Sequence, residues 1–272
     1  GNILEAAKFY QYFINQGFKD HQVFSNYGVL LKELGQLKEA EILLRKAIGL
    51  KSDIAEAHSN LGNILRDLGN LKEAESSYRK AIELNPNFAK AHFNLGGLLP
   101  KFGNLQEAEI STRIAIELKP DFAEAHYNLG NILSDLGNYD DAIKQYKQAL
   151  KLNNQLSLAK TGLIETKGSI CDWSEEETHN VWLKSLGIKG DSISPWGLFP
   201  LEDSPLKHLK RSIKFYKEKY TRQAKHIKYS KKDIIHIGYF SADFRTHPVM
   251  QLIAPILELH DKSRFKIYLY SF

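Results

Sequence analysis

The feature that most constrains this chain is a period of 34 residues. "EAHSNLGNIL" begins at Glu56 and "EAHYNLGNIL" at Glu124, with "KAHFNLGGLL" at Lys90 between them. The second half of the unit repeats in step. Gly35, Gly69, Gly103 and Gly137 share one register, Ala40, Ala74, Ala108 and Ala142 another, and Ala47, Ala81, Ala115 and Ala149 a third. Pro86 and Pro120 close two units, where Ser52 and Asn154 stand in the others. A period of this length means stacked supersecondary units, because one unit cannot bury its own apolar face. Leu61, Ile64, Leu65 and Leu68 recur at three and four, which makes the first half an amphipathic helix. "LGN" puts a glycine where that helix must stop. "LKEAESSYRKAIEL" is a second amphipathic helix, and Gly62 and Ala74 let the two approach closely. Proline then ends the pair. Pro100 falls near the end of a first helix and predicts a local kink there.

These positions resemble the tetratricopeptide repeat. Four units, 21–54, 55–88, 89–122 and 123–156, follow a partial unit over 1–20. Gly1 aligns with Gly35, so 1–20 reads as the second helix of a cut unit, and the chain as a piece of something longer. The resemblance implies a right-handed superhelix with a concave groove lined by first helices. On those helices Asn26, Asn60, Asn94 and Asn128 share one register. Asparagine is a poor mid-helix residue, because its amide competes for backbone bonds. Packed helices lie roughly 8–10 Å apart, and an extended peptide rises about 3.3 Å per residue. One asparagine therefore meets one peptide unit every third residue, and its amide offers a donor and an acceptor to that backbone. The ladder reads as a sequence-tolerant site for an acceptor polypeptide. The alternative is that these amides only bond across neighbouring repeats. His58, His92 and His126 also recur at 34. One repeat apart, they cannot share a zinc whose ligands sit at about 2 Å, so packing beside the helix-packing face is expected of them.

After Leu158 the sequence period fails, and 157–232 reads as a helical linker. "GSICDWSEEETHNVW" keeps helical character, with Ser174 placed to cap a helix whose first turn holds Glu175 to Glu177. A Gly-, Pro- and Ser-rich loop with Trp196 and Phe199 follows. Leu206, Leu209, Ile213, Tyr216 and Tyr220 then recur at three and four, predicting a helix that buries this stripe and solvates its lysines and arginines. Formal charge is +5, and its placement matters more than its size. Between Lys207 and Lys232 there are eleven Lys or Arg and one acid, Glu218. Basic residues interleaved with tyrosines suit nucleic acid, a phosphorylated ligand or plain solvation. No recognised nucleic-acid fold accompanies them, so a nucleic-acid partner is not expected. No apolar run reaches the ~18–20 residues of a membrane span. The single cysteine, Cys171, excludes an intrachain disulfide and fits a reducing compartment, so a cytoplasmic location is expected.

Residues 233–272 change character. "DIIHIGYFS" is rich in β-branched and aromatic residues, as a buried strand is. "ADFRT" is loop, Pro248 suits the first position of a helix, and "RFKIYLYSF" is a second strand. Strand–helix–strand implies a parallel α/β sheet, with ligands beyond the strands' carboxyl ends. His247 falls at that rim. There is no GxGxxG, P-loop or metal cluster.

"EAHxNLG" repeats, "CDW" at 171–173, "LFPL" at 198–201 and "IGYFSADFRTHP" at 237–248 occur here in one order. In that order they resemble the protein O-linked glycosyltransferases, the O-GlcNAc transferase and SPINDLY-type enzymes with their bacterial relatives. The resemblance implies a mainly α chain: a repeat solenoid, a helical linker, and over 233–272 the opening of a Rossmann-like (GT-B type) catalytic region. It implies inverting transfer of a sugar from a nucleotide donor, UDP-GlcNAc or GDP-fucose, to Ser or Thr hydroxyls of protein acceptors, without a metal. It places His247 in the active-site cleft, as general base or as a group positioning acceptor or sugar. The donor-binding half is expected beyond Phe272, so residues 1–272 alone are expected to bind peptide without turnover. The rival reading is a non-catalytic repeat scaffold.

Overall fold

The structure is a computed structural model that describes residues 3–17, 19–194, 198, 204–219, 235–240 and 265–270. It divides into two compact units, Gly1–Lys219 and Tyr220–Phe272.

The first unit is a stack of helix hairpins. The helices are α1 (Ile3–Asn15), α2 (His21–Glu33), α3 (Leu37–Leu50), α4 (Ala55–Asp67), α5 (Leu71–Leu84), α6 (Ala89–Leu98), α7 (Leu105–Leu118), α8 (Ala123–Asp135), α9 (Tyr139–Leu152), α10 (Ser157–Ser169), α11 (Glu176–Leu183) and α12 (Pro205–Lys219). Each first helix stops as the repeat demands. Gly35, Gly69, Gly103 and Gly137 take φ of 75–85°, a left-handed backbone that costs glycine nothing. At Gly69 the closure is a Schellman turn: Asn70 N–H donates to Leu65 C=O at 2.8 Å, and Gly69 N–H to Arg66 C=O at 3.0 Å. Only two residues, Gly69 and Asn70, then separate the Leu68 cap from α5, so the second helix folds straight back. Asp20 caps α2 by accepting from Gln22 and Val23 N–H at 2.7 and 3.0 Å.

Small residues set the spacing within each hairpin. The alanines at 40, 74, 108 and 142, and at 47, 81, 115 and 149, are all fully buried. The Gly62 α-carbon lies so close to the Tyr78 ring that a Cβ there would sit 2.5 Å from Cε1, and Gly130 faces Tyr146 in the same way at 2.6 Å. The third unit differs, with Thr112 in the tyrosine position. Its first helix also ends early. α6 stops at Leu98, and a 3₁₀ turn, Leu99–Phe102, carries the chain past Pro100. That turn is the kink the proline predicts, since it removes a donor from the α-helical ladder.

First helices touch their counterparts along the stack, α2 with α4, α4 with α6, α6 with α8 and α8 with α10, while no two second helices among α3, α5, α7 and α9 pack as closely. The array therefore curls with first helices on its inner side. Outer second helices are tied by ion pairs in register: Arg45 to Glu73 and Arg79 to Glu107 at 2.7 Å each. Lys147 to Glu175, also 2.7 Å, continues the series. The stack thus runs on where the sequence period fades. α10 packs on α9 and α8, and a core of Ile164, Leu183, Leu186, Ile193 and Leu198 closes its end.

Two expectations in this region are corrected. Ser174 is not a helix cap: Glu175 precedes α11 without a side-chain cap bond, and Ser174 instead accepts from Lys167 Nζ at 3.0 Å. Lys167, 3 % exposed, also meets Asp172 and Glu175 at 2.9 and 3.2 Å, and that charge-paired turn competes for the serine. α12 is also rotated from the expected orientation. His208 and Arg211 are its buried residues, and Leu206, Leu209, Ile213 and Tyr216 are exposed. Arg211 wins burial because it closes the end of the preceding segment, donating from Nε to Leu186 C=O at 2.8 Å and from Nη2 to Leu183 C=O at 2.6 Å. Those are carbonyls left open where a helix ends.

In the second unit β1 (Ile235–Phe240) pairs with β2 (Phe265–Tyr270) in parallel, with Ile235 opposite Phe265 and Phe240 opposite Tyr270. Both strands lie within the predicted segments, and the parallel sense matches the predicted sheet. The predicted helix from Pro248, with its loop and His247, lies outside the described residues.

Candidate polypeptide-binding face

The inner side of the stack is built by α2, α4, α6, α8 and α10. The four asparagines sit there, one per unit, but not equally open. Asn26 is exposed, Asn60 and Asn128 are half-buried, and Asn94 is buried. Asn94 Nδ2 reaches Ser59 Oγ at 3.4 Å, from α6 back to α4. Asn128 Nδ2 reaches Thr112 Oγ1 at 3.5 Å. The cross-repeat bonds considered as the alternative thus exist at two positions, and both are long. They use the amide nitrogen and leave the carbonyl oxygen as an acceptor. Asn128 also borders Gly97, whose missing side chain leaves its amide in contact distance.

Three residues after the asparagine, α4 and α8 carry a second amide, Asn63 and Asn131. Asn63 Oδ1 accepts from Tyr78 Oη at 2.9 Å, and Asn131 Oδ1 from Tyr146 Oη at 2.8 Å. These bonds satisfy the buried phenols, and burial pushes the Tyr78 hydroxyl up to about 12. In the next register Glu165 replaces the asparagine. Desolvation raises its carboxyl from the ordinary range, although water still reaches the side chain. A group enclosed on several sides yet open on one is what a concave surface produces. Desolvation also raises the hydroxyl of neighbouring Tyr127. Ser134 and Thr166 hydroxyls meet at 3.3 Å beside this end. The inner face therefore runs from amides at one end to hydroxyls and one carboxylate at the other.

The three recurring histidines have another task. His58, His92 and His126 each place Nε2 2.9–3.1 Å from a carbonyl in the preceding turn, of Ser52, Pro86 and Pro120. A carbonyl only accepts, so Nε2 carries the proton. Each histidine thereby holds the closing turn of one unit to the first helix of the next. At His126, Nδ1 is 2.8 Å from the Gln145 amide and takes a hydrogen from it, since that amide's ends interchange by rotation. No group of three or more His, Cys, Asp or Glu able to hold a metal occurs among the described residues. None of the helices among them is long and apolar enough to cross a membrane. The 34-residue spacing revealed the histidines and asparagines. It did not reveal Glu165, whose place on the face depends on α10 continuing the stack.

Residues 55–88 and 123–155 match the tetratricopeptide repeat family, as do 77–110 and 21–54. No curated protein matches the chain. Among solved structures, YrrB, described as a TPR protein with an unusual peptide-binding site, is similar at 20% identity with a TM-score of 0.53, over 76% of this chain and 99% of that one. PilF of Pseudomonas aeruginosa is similar at 18% identity with a TM-score of 0.58, over 74% and 92%. MamA from Desulfovibrio magneticus RS-1 is similar at 20% identity with a TM-score of 0.56, over 63% and 97%. At these identities the likeness shows the fold.

Proposed function

We propose that this chain, a tetratricopeptide-repeat protein, holds an extended polypeptide along the inner face of its stack. The observation that carries this reading is the placement of Asn26, Asn60 and Asn128 on that face with solvent access, one per unit. Their carboxamides pair with backbone N–H and C=O without reading side chains, so many sequences fit. The similar fold of YrrB, a protein described as having a peptide-binding site, supports the same use. The test is anisotropy of labelled unstructured peptides. Asn26→Ala, Asn60→Ala and Asn128→Ala together weaken all peptides alike if the reading is right, and leave affinity unchanged if it is wrong.

A second reading builds on this one: the captured polypeptide is an acceptor for sugar transfer. The "CDW", "LFPL" and "IGYFSADFRTHP" segments favour it, as does the parallel pairing of β1 and β2. In this reading a Ser or Thr hydroxyl attacks the anomeric carbon opposite the diphosphate, and configuration inverts. His247 takes the hydroxyl proton or positions the acceptor. The donor is UDP-GlcNAc or GDP-fucose, and no metal is needed if helix N-termini and basic groups stabilise the leaving diphosphate. Incubating the full-length protein with each donor and a protein acceptor, read by intact mass, decides it. A gain of one sugar supports transfer, and an unchanged acceptor with both donors leaves only the scaffold.

A further inference from the structure

A surface cavity of about 560 Å³ opens at the seam of α9, α10 and α11. Another, of about 480 Å³, opens at the seam of α3, α4 and α5. Their linings correspond residue by residue across three periods. Lys147 stands for Arg45, Leu150 for Ile48, Leu163 for Leu61 and Glu175 for Glu73. The cavity is therefore a product of how units stack, and the geometry of the repeat persists to Trp182 after the sequence has lost it.

Three positions set the second seam apart. Where the first has Gly49, His58 and Lys80, the second has Lys151, Lys160 and Trp182. His58 is engaged with the Ser52 carbonyl. Lys160 instead holds its ammonium 5.6 Å from the centre of the Trp182 ring, close enough to feel the ring's negative face. Among the described lining residues the one acid, Glu175, is already paired with Lys147 at 2.7 Å and with buried Lys167 at 3.2 Å. These cations hold its carboxyl below the usual range, the Lys147 bond most of all. Lys151, exposed in the last turn of α9, and Lys160 thus supply positive charge that no lining carboxylate offsets. Leu150, Leu163 and Trp182 make an apolar wall beneath them. At the rim Gln155 Nε2 donates to Asn154 Oδ1 at 3.1 Å, which leaves a donor on Asn154 and an acceptor on Gln155. One donor beside one acceptor suits a peptide unit.

We propose that this seam binds an acidic segment of a partner polypeptide, with carboxylates at Lys151 and Lys160 and an apolar side chain on Trp182. The site lies where α9, α10 and α11 meet and contains none of Asn26, Asn60, Asn94 and Asn128, so it is distinct from the asparagine register. The probe is a fluorescein-labelled octapeptide alternating Glu and Leu, with a Lys–Leu octapeptide as control, both read by anisotropy at low salt. The Glu–Leu peptide binds the unmodified chain, and Lys151→Glu or Lys160→Glu weakens it about tenfold. Lys80→Glu at the first seam and the Asn26, Asn60, Asn128 triple alanine variant leave it unchanged. Lys151 is exposed, so its replacement keeps the fold. The proposal fails if the wild type does not bind the Glu–Leu peptide or binds the Lys–Leu peptide as well. It also fails if Lys151→Glu binds normally or if Lys80→Glu weakens binding equally.

Discussion

One substitution, Gly→Ala, has three different outcomes in this stack, and the differences come from geometry alone. At Gly62 an added Cβ would sit 2.5, 2.7 and 3.1 Å from Cε1, Cδ1 and Cζ of Tyr78. That ring is fully buried and its hydroxyl is tied to Asn63, so it cannot swing aside. The hairpin must open, an overpacking cost of about 2–3 kcal/mol. At Gly69 there is open space but φ is +85°, and the cost is strain of roughly 1–2 kcal/mol. At Gly49, within α3, there is neither contact nor positive φ, so alanine stabilises by about 0.5–1 kcal/mol. Urea unfolding followed by helical circular dichroism orders the midpoints: Gly49→Ala above wild type, then Gly69→Ala, then Gly62→Ala. The first unit adds a rescue. Gly28 there faces Leu44 in place of tyrosine, with Cγ at 3.0 Å from the added Cβ. Gly62→Ala with Tyr78→Leu therefore recovers part of the loss, although it forfeits the bond to Asn63. An unchanged midpoint for Gly62→Ala, or no recovery in the double variant, refutes the close-approach argument.

Other outcomes follow from buried polar groups. Arg211→Met removes the donors that close Leu183 and Leu186 carbonyls, and lowers stability by about 2–4 kcal/mol in the same assay. His179 is 6 % exposed, and its Nε2 has no partner among the described residues. Desolvation, with a smaller contribution from Lys167, depresses its ionisation. The folded state therefore prefers neutral imidazole, so its contribution is complete above the unfolded pKa near 6.5 and is lost as pH falls toward the lower folded value. A pH series of thermal melts shows a decline below pH 6.5 that His179→Leu reduces. Tyr78 acts at the other extreme: with its folded pKa raised to about 12, stability declines as pH rises from the unfolded value near 10 toward 12. Tyr78→Phe reduces that alkaline decline.

The repeat was legible because it requires small residues at fixed places. Gly62, Ala74 and Ala81 announce a close hairpin, Gly69 a left-handed stop, and Pro100 a broken last turn. The same logic hid the continuation. In the next register Ile164, Glu176 and Leu183 replace glycine and two alanines, so α10 and α11 do not approach as closely as the earlier pairs. The stack persists there through Lys147–Glu175 and through Ile164 and Leu183 packed with Leu186, Ile193 and Leu198. Those contacts have no period. In α12 the sequence shows which residues share a face, but not which face is covered. Two open carbonyls drew Arg211 inward against the hydropathy of its neighbours. On the inner face, spacing identified the asparagine register. Its unevenness depends on Ser59 and Thr112, residues that come near only after stacking.

The central claim is that a polypeptide lies along the inner helices, and site-specific photocrosslinking tests it most directly. A benzophenone residue in place of Asn26, Asn60 or Asn128 should label an unstructured peptide, and one in place of outer Ile42 or Ile110 should not. Equal labelling from both sides, or labelling from the outer positions alone, contradicts the account.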